Sequence, residues 1–398
     1  MIFNADNMFT DSKITLESGE TAMLDNRSRQ TVKIAFALGG LAGNNAHGAG
    51  FLHAACENDI RPDIISCTSG QIYWTYYFLE YIRASSNDRK NLRDRMVEDI
   101  NKLQPSGRLE TDLALLLMRG VPNKFRVPYS EYASEYVGRL LDALSGALNP
   151  KKNQSFLKSL LDAPPARTLE PLYPEELWTK MVNRFNEEKE IGVAFNAYDP
   201  VSATEIVYIN PRLKEILGLT KEKVTEKNAA KAGYCGHNFE INLQYEDITY
   251  EGLRQALHLY QYGFVAEDAK SVSSKPIDGA YFRQIMLSEL SPAETIYIAR
   301  PTNVKWIDRL PQTYIELEDL KTEVMFNGSY DGERDKIEMV NKFLEKGLLK
   351  SDSGYHKIKL LDVPMSIQRG YFDYIFEKIE VFDLSWKEAD KLFKANKQ

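Results

Sequence analysis

The stretch from residue 32 to residue 79 constrains the fold more than any other. Val32-Lys33-Ile34-Ala35-Phe36-Ala37-Leu38 is apolar except at Lys33, the pattern of a strand buried on both faces. It ends in Gly39-Gly40-Leu41-Ala42-Gly43-Asn44-Asn45-Ala46-His47-Gly48, a loop rich in Gly and Asn. Ala49 to Glu57 then read as a helix. Arg61-Pro62-Asp63 read as a turn, Ile64-Ile65 as a short buried strand, and Ile72 to Leu79 as a second helix without Gly or Pro. Strand, loop, helix, strand and helix in so short a span form a βαβ unit, which requires a parallel sheet. The expected class is α/β, with a mostly parallel central sheet flanked by helices.

Between the second strand and the second helix lies Ser66-Cys67-Thr68-Ser69-Gly70-Gln71. A serine in such a turn can lift its hydroxyl out of the sheet, with the unpaired N–H groups of a helix start behind it. That is how serine nucleophiles are presented. The same position also suits a plain helix N-cap, and this stretch alone leaves both readings open.

The 398 residues, 43% of them hydrophobic, suffice for one large domain with an appendage or for two smaller ones. A formal net charge of -7 without a basic block argues against nucleic acid as partner. Cys56, Cys67 and Cys235 lack metal-ligand spacing and read as reduced thiols of a cytosolic protein. Residues 1–30 carry neither a basic nor an apolar signal region. The longest apolar run, Ile72 to Ile82, is too short to span a bilayer, so any membrane contact is expected to be peripheral. Nothing in the sequence sets the oligomeric state.

The expected organisation is a polar leader over 1–30, a main domain over 31–300, and an α/β extension over 301–398 packed on that domain. A helical insertion, 84–190, covers one side of the sheet. It includes Leu113 to Met118, Leu140 to Leu144 and a proline-rich loop around Pro164 and Pro165. Strands return at Ile191–Asn196 and Glu205–Ile209, joined through Asp199-Pro200. Further expected elements are a helix over Thr249–Tyr262, a strand over Thr295–Ala299, a helix over Arg334–Lys346 and a strand over Lys357–Leu361.

Nucleophilic catalysis needs a nucleophile, a base and an oxyanion site. Ser69 supplies the first, and backbone N–H groups of the Gly39-Gly40 loop are candidates for the last. A phosphate-loop reading fails because Ala49 stands where the lysine belongs, and a dinucleotide fingerprint fails at His53. The ordered set Leu38-Gly39-Gly40-Leu41-Ala42-Gly43-Asn44-Asn45, Arg61-Pro62-Asp63, Cys67-Thr68-Ser69-Gly70-Gln71 and Asp278-Gly279-Ala280 resembles the motifs of the patatin-like phospholipase family. The resemblance spans roughly residues 32 to 300 by order of motifs. It implies a three-layer sandwich, Ser69 as nucleophile and Asp278 of the Asp-Gly-Ala motif as base. It also implies oxyanion or substrate contacts from Gly39, Gly40, Leu41, Ala42, Gly43, Asn44, Asn45 and Gly70. A lipid or acyl-ester substrate follows, with no metal or cofactor. Cys67 and Gln71 stand where the family has glycine, and Asn44 and Asn45 where many members have Arg and Gly. Two rival readings remain: a scaffold on the same fold with a decayed site, and a Ser-His-Asp esterase using His356.

Overall fold

The computed structural model describes residues 13–15, 21–23, 30–40, 45–84, 91–102, 125–126, 129–147, 158, 163–164, 170–171, 174–219, 242–259, 275–301, 309–349, 354–363 and 378–396. Its strands are β1 (Lys13–Thr15), β2 (Thr21–Met23), β3 (Val32–Leu38), β4 (Ile64–Cys67), β5 (Phe125–Arg126) and β6 (Glu170–Pro171). They continue with β7 (Gly192–Asp199), β8 (Thr204–Ile209), β9 (Asn242–Asp247), β10 (Ile277–Asp278), β11 (Ala293–Ala299) and β12 (Lys359–Asp362). The helices are α1 (Ala46–Glu57), α2 (Gln71–Arg83), α3 (Leu92–Lys102), α4 (Tyr129–Ala147) and α5 (Glu175–Glu187). Then come α6 (Pro211–Leu217), α7 (Tyr250–Ala256), α8 (Tyr314–Glu345) and α9 (Lys378–Asn396).

Among the described residues, one sheet runs in the order β12-β11-β3-β4-β7-β8-β9, with β10 beside β7. Its pairs are parallel from β12 through β7 and again between β8 and β9. The β7–β8 hairpin and the β7–β10 bridge are antiparallel. This is the expected mixed α/β fold with a mostly parallel sheet between helices.

The period of two along β3 explains the layers. Ala35 and Ala37 face a core built with Leu213 and Ile216 of α6 and Tyr330 and Ile337 of α8. Phe36 points the other way. Its ring lies 4.8 Å from Phe51 of α1 and 6.1 Å from Phe393 of α9. Asp63 fixes the start of β4. Its Oδ2 accepts the Lys33 and Ile34 N–H groups at 2.9 and 3.0 Å, so the Arg-Pro-Asp turn is a clamp between neighbouring strands.

Several boundaries differ from the sequence expectation. α1 starts at Ala46 rather than Ala49, because the Asn45 carbonyl already accepts the Ala49 N–H and draws His47 and Gly48 into the helix. α8 starts at Tyr314 rather than Arg334, under a cap in which the Thr313 side chain accepts the Glu316 N–H. The helix runs through Gly328, where an added Cβ would meet nothing within 4 Å. The helix expected over Thr249–Tyr262 is shorter, α7 ending at Ala256 with Leu257 as its cap residue and 257–259 not helical, and residues 260–262 lie outside the described residues. Leu113 to Met118 also lie outside them, as does most of the leader apart from the β1–β2 pair.

The chain divides into two units. One comprises 1–100, 175–257 and 274–398 and holds the sheet. The other comprises 101–174 and 258–273, with α4 and the antiparallel β5–β6 pair. No described helix is long and apolar enough to cross a membrane.

Candidate active site

Strand register brings two distant residues to one level. Ser66 of β4 pairs with Ala194 of β7, and Ala197 of β7 pairs with Asp278 of β10. Position 69 lies as far beyond Ser66 as Ala197 lies beyond Ala194. Ser69 and Asp278 therefore meet at the carboxyl-terminal edge of the sheet, where open α/β sheets place their ligands.

Ser69 has a φ of 56°, a left-handed conformation that is strained for any residue with a Cβ. Gly70, not Ser69, is the N-terminal cap residue of α2. The Ser69 hydroxyl lies beside the Asp278 carboxylate, close enough to lower that group's pKa. Asp278 Oδ1 also accepts the Ala280 N–H at 2.9 Å. Ser69 is 2% exposed and Asp278 1%, so this is a desolvated pair. Burial pushes the Asp278 carboxyl up to about 7, and the Ser69 and Ala280 donors hold it from rising further.

The glycine loop abuts the turn. A Cβ built on Gly40 would lie 2.7 Å from the Ser69 Cβ and 2.6 Å from the Thr68 carbonyl oxygen, so only glycine fits there. The Gly39 N–H donates to the Ala299 carbonyl at 2.9 Å and extends the sheet; it is thereby occupied, contrary to the expectation that it faces an oxyanion. The Gly40 N–H makes a long, 3.4 Å contact to the Gln284 carbonyl, while Gln284 Nε2 donates to the Gly40 carbonyl at 2.7 Å. The Asn45 amide sits against Gly70, with Nδ2 2.0 Å from where a Gly70 Cβ would be. Leu41, Ala42, Gly43 and Asn44 lie outside the described residues.

The two departures from glycine are both accommodated. Cys67 is buried with Sγ 3.5 Å from the Ala194 carbonyl, and burial pushes its thiol up to about 12, so it is a small neutral filler. Gln71 lies over Gly48 of α1: a Cβ built there would be 2.0 Å from Gln71 Oε1.

A second polar cluster holds the aspartate loop. Gly279 fits under Asn196, whose Nδ2 donates to Glu205 at 2.8 Å and to the Arg283 carbonyl at 3.2 Å. The buried Arg283 guanidinium pairs with Glu205 at 2.8 Å, Glu289 at 2.8 Å and Glu333 at 3.2 Å. Burial opposes its charge, but these carboxylates outweigh that and raise its pKa far above the ordinary value. Asn196 and Arg283 were not singled out from the sequence. The available signal was an Asn inside the otherwise apolar run Gly192–Ala197.

The aromatic residues after Ser69 are largely core. Trp74, Tyr76 and Phe78 are buried, and the Tyr73 hydroxyl accepts the Trp178 Nε1–H at 2.6 Å. His356 bonds the carbonyl of Ala293 at 3.1 Å, at the start of β11 and hence at the sheet edge opposite Ser69. No described group of three or more His, Cys, Asp or Glu residues can hold a metal ion.

Fold and site together define an α/β protein with a strained serine on a buried aspartate at the carboxyl edge of its sheet. No family model and no curated protein matches the chain. Among solved structures, the crystal structure of VipD from Legionella pneumophila is similar at 10% sequence identity and a TM-score of 0.29, over 98% of this chain and 72% of that one. A likeness so slight does not bear on the chemistry of the site.

Proposed function

We propose that the chain is a serine acyl hydrolase of patatin-like type that cleaves fatty-acyl esters of lipids. The observation that carries this reading is the Ser69 hydroxyl, held at a left-handed strand-to-helix turn beside the buried Asp278 carboxyl. Ionised Asp278 takes the hydroxyl proton as Ser69 Oγ attacks the ester carbonyl carbon. The carbonyl oxygen becomes an oxyanion beside Gly40, Gly70 and the amino-terminal end of α2. Collapse breaks the ester C–O bond, and Asp278 returns its proton to the departing alcohol. Water then attacks the acyl-serine carbonyl as Asp278 accepts its proton; collapse breaks the acyl C–Oγ bond, Asp278 returns the proton to Ser69 Oγ, and the fatty acid leaves.

Hydrolysis of medium-chain acyl esters tests the reading. Asp278→Asn keeps the shape and removes the base, and it is expected to lower turnover by roughly two to four powers of ten. Unchanged turnover in that variant removes Asp278 from the reaction. A wild-type chain inert to all such esters would instead favour a binding role for the same fold.

A further inference from the structure

We propose that Gln71 is a positioning residue that clips both described ends of the glycine loop to the helix behind the nucleophile. Gln71 Nε2 faces the Gly39 carbonyl at 3.3 Å and the Asn45 carbonyl at 3.5 Å. Those carbonyls flank residues 40–44, so one amide with two hydrogens spans the loop ends. His47 Nε2 shares the Gly39 carbonyl at 2.9 Å, and it lies 2.9 Å from Gln71 Nε2. The His47 Nδ1 is buried without a hydrogen-bond partner among the described residues. Gln71 Oε1 is likewise buried without a hydrogen-bond partner among the described residues. Burial lowers the His47 pKa to about 4, so the ring is neutral at pH 7.

The clip depends on the fit of two residues on neighbouring helices. Gln71 takes the place where the resembling motif has glycine, and Gly48 provides the space for it, since Gln71 Oε1 lies 2.0 Å from a Cβ built on that residue. The Ser385 hydroxyl donates to the His47 carbonyl at 2.6 Å and anchors α1 from the other side. Gln71 thus fixes Gly39 and Asn45 relative to Ser69, and through them Gly40 and the Asn45 amide. This role rests on the hydrolase reading, whereas the clip itself is a structural claim.

Two readouts on the full chain keep these apart. Gln71→Met preserves length and removes both donors. It is expected to slow fluorophosphonate labelling of Ser69 and ester kcat by roughly 10- to 100-fold, with KM within about twofold, as a misplaced site does. It is also expected to speed amide exchange at Gly39, Gly40 and the first turn of α1 by roughly tenfold or more. Gln71→Glu guards against misfolding of the Met variant. Only its protonated carboxyl can donate to Gly39, so its rate relative to wild type at the same pH should recover as pH falls. Gly48→Ala should impair the wild type and add little in a Gln71→Gly background, because the clashing amide is then gone. Wild-type exchange in Gln71→Met overturns the clip, whether or not the chain reacts with the probe. Faster exchange with unchanged kcat and labelling overturns the positioning role, and faster exchange in a wild type that never labels overturns the hydrolase reading and leaves the clip standing.

Discussion

Asn196 lies over Gly279 so closely that a Cβ built on the glycine would be 2.2 Å from the Asn196 amide carbon and oxygen. The contact sets the height of the turn that carries Asp278. Asn196 is fixed in its turn by Glu205 and the Arg283 carbonyl, so it cannot yield cheaply. Gly279→Ala is expected to destabilise the chain by about 1–3 kcal/mol, as overpacking does, and to reduce ester turnover by more than that loss alone explains at a temperature where the variant is folded. Urea unfolding and kcat measured on the same preparation check this.

The pH dependence of catalysis follows from Asp278. Its carboxyl is pushed up to about 7, mainly by burial, and only the ionised form can accept the Ser69 proton. The rate constant kcat/KM should rise with pH through about 7 and then level. A profile already flat from pH 5 upward would show that Asp278 is not the titrating base.

The same group links stability to pH. Its folded-state pKa, about 7, is above the ordinary 3.8, so the folded chain holds this proton longer than the unfolded chain. Wild-type stability should fall as pH rises between about 4 and about 7, by an amount on the order of a few kcal/mol from this group. Asp278→Asn removes the ionisation. Urea midpoints for that variant should lack this part of the slope and exceed wild type above pH 7.

Arg283 supports the aspartate loop from below. Arg283→Met would leave Glu205, Glu289 and Glu333 buried without their shared cation. The expected loss is about 3–5 kcal/mol at pH 7, as when one partner of a buried ion pair is removed. The wild-type Glu333 carboxyl is held down to about 2, where burial is outweighed by Arg283 and Lys336. Without the arginine it should take up a proton more readily, so the deficit should shrink as pH falls. Chemical denaturation at pH 5 and pH 8 measures both effects.

What the sequence disclosed was local. The strand, glycine loop, helix and strand of 32–67 could be read because apolar period, turn residues and helix length lie within a few residues of each other. The central strands and the β7–β8 hairpin were legible for the same reason. The α8 amino terminus carries a readable signal, Thr313 three residues before Glu316, which the expected helix over Arg334–Lys346 does not use. α9 was not among the expected elements, although Val381, Ser385, Ala389 and Phe393, all buried, recur at helical spacing. β10 was not legible, because two residues carry no period and exist as a strand only through pairing with β7. The fit of Gln71 over Gly48 and of Asn196 over Gly279 depends on packing between separate elements. Read along the chain, Gln71 is only an oversized residue in a tight turn.

The central claim is that Ser69 is the nucleophile, and mapping the site of covalent labelling tests it most directly. The intact chain is treated with a fluorophosphonate and digested, and the modified residue is located by mass spectrometry, with Ser69→Ala in parallel. The account predicts one adduct on Ser69, and a Ser69→Ala variant that keeps its circular dichroism spectrum but loses both the adduct and ester hydrolysis. An adduct on another residue, or hydrolysis retained in Ser69→Ala, would contradict it.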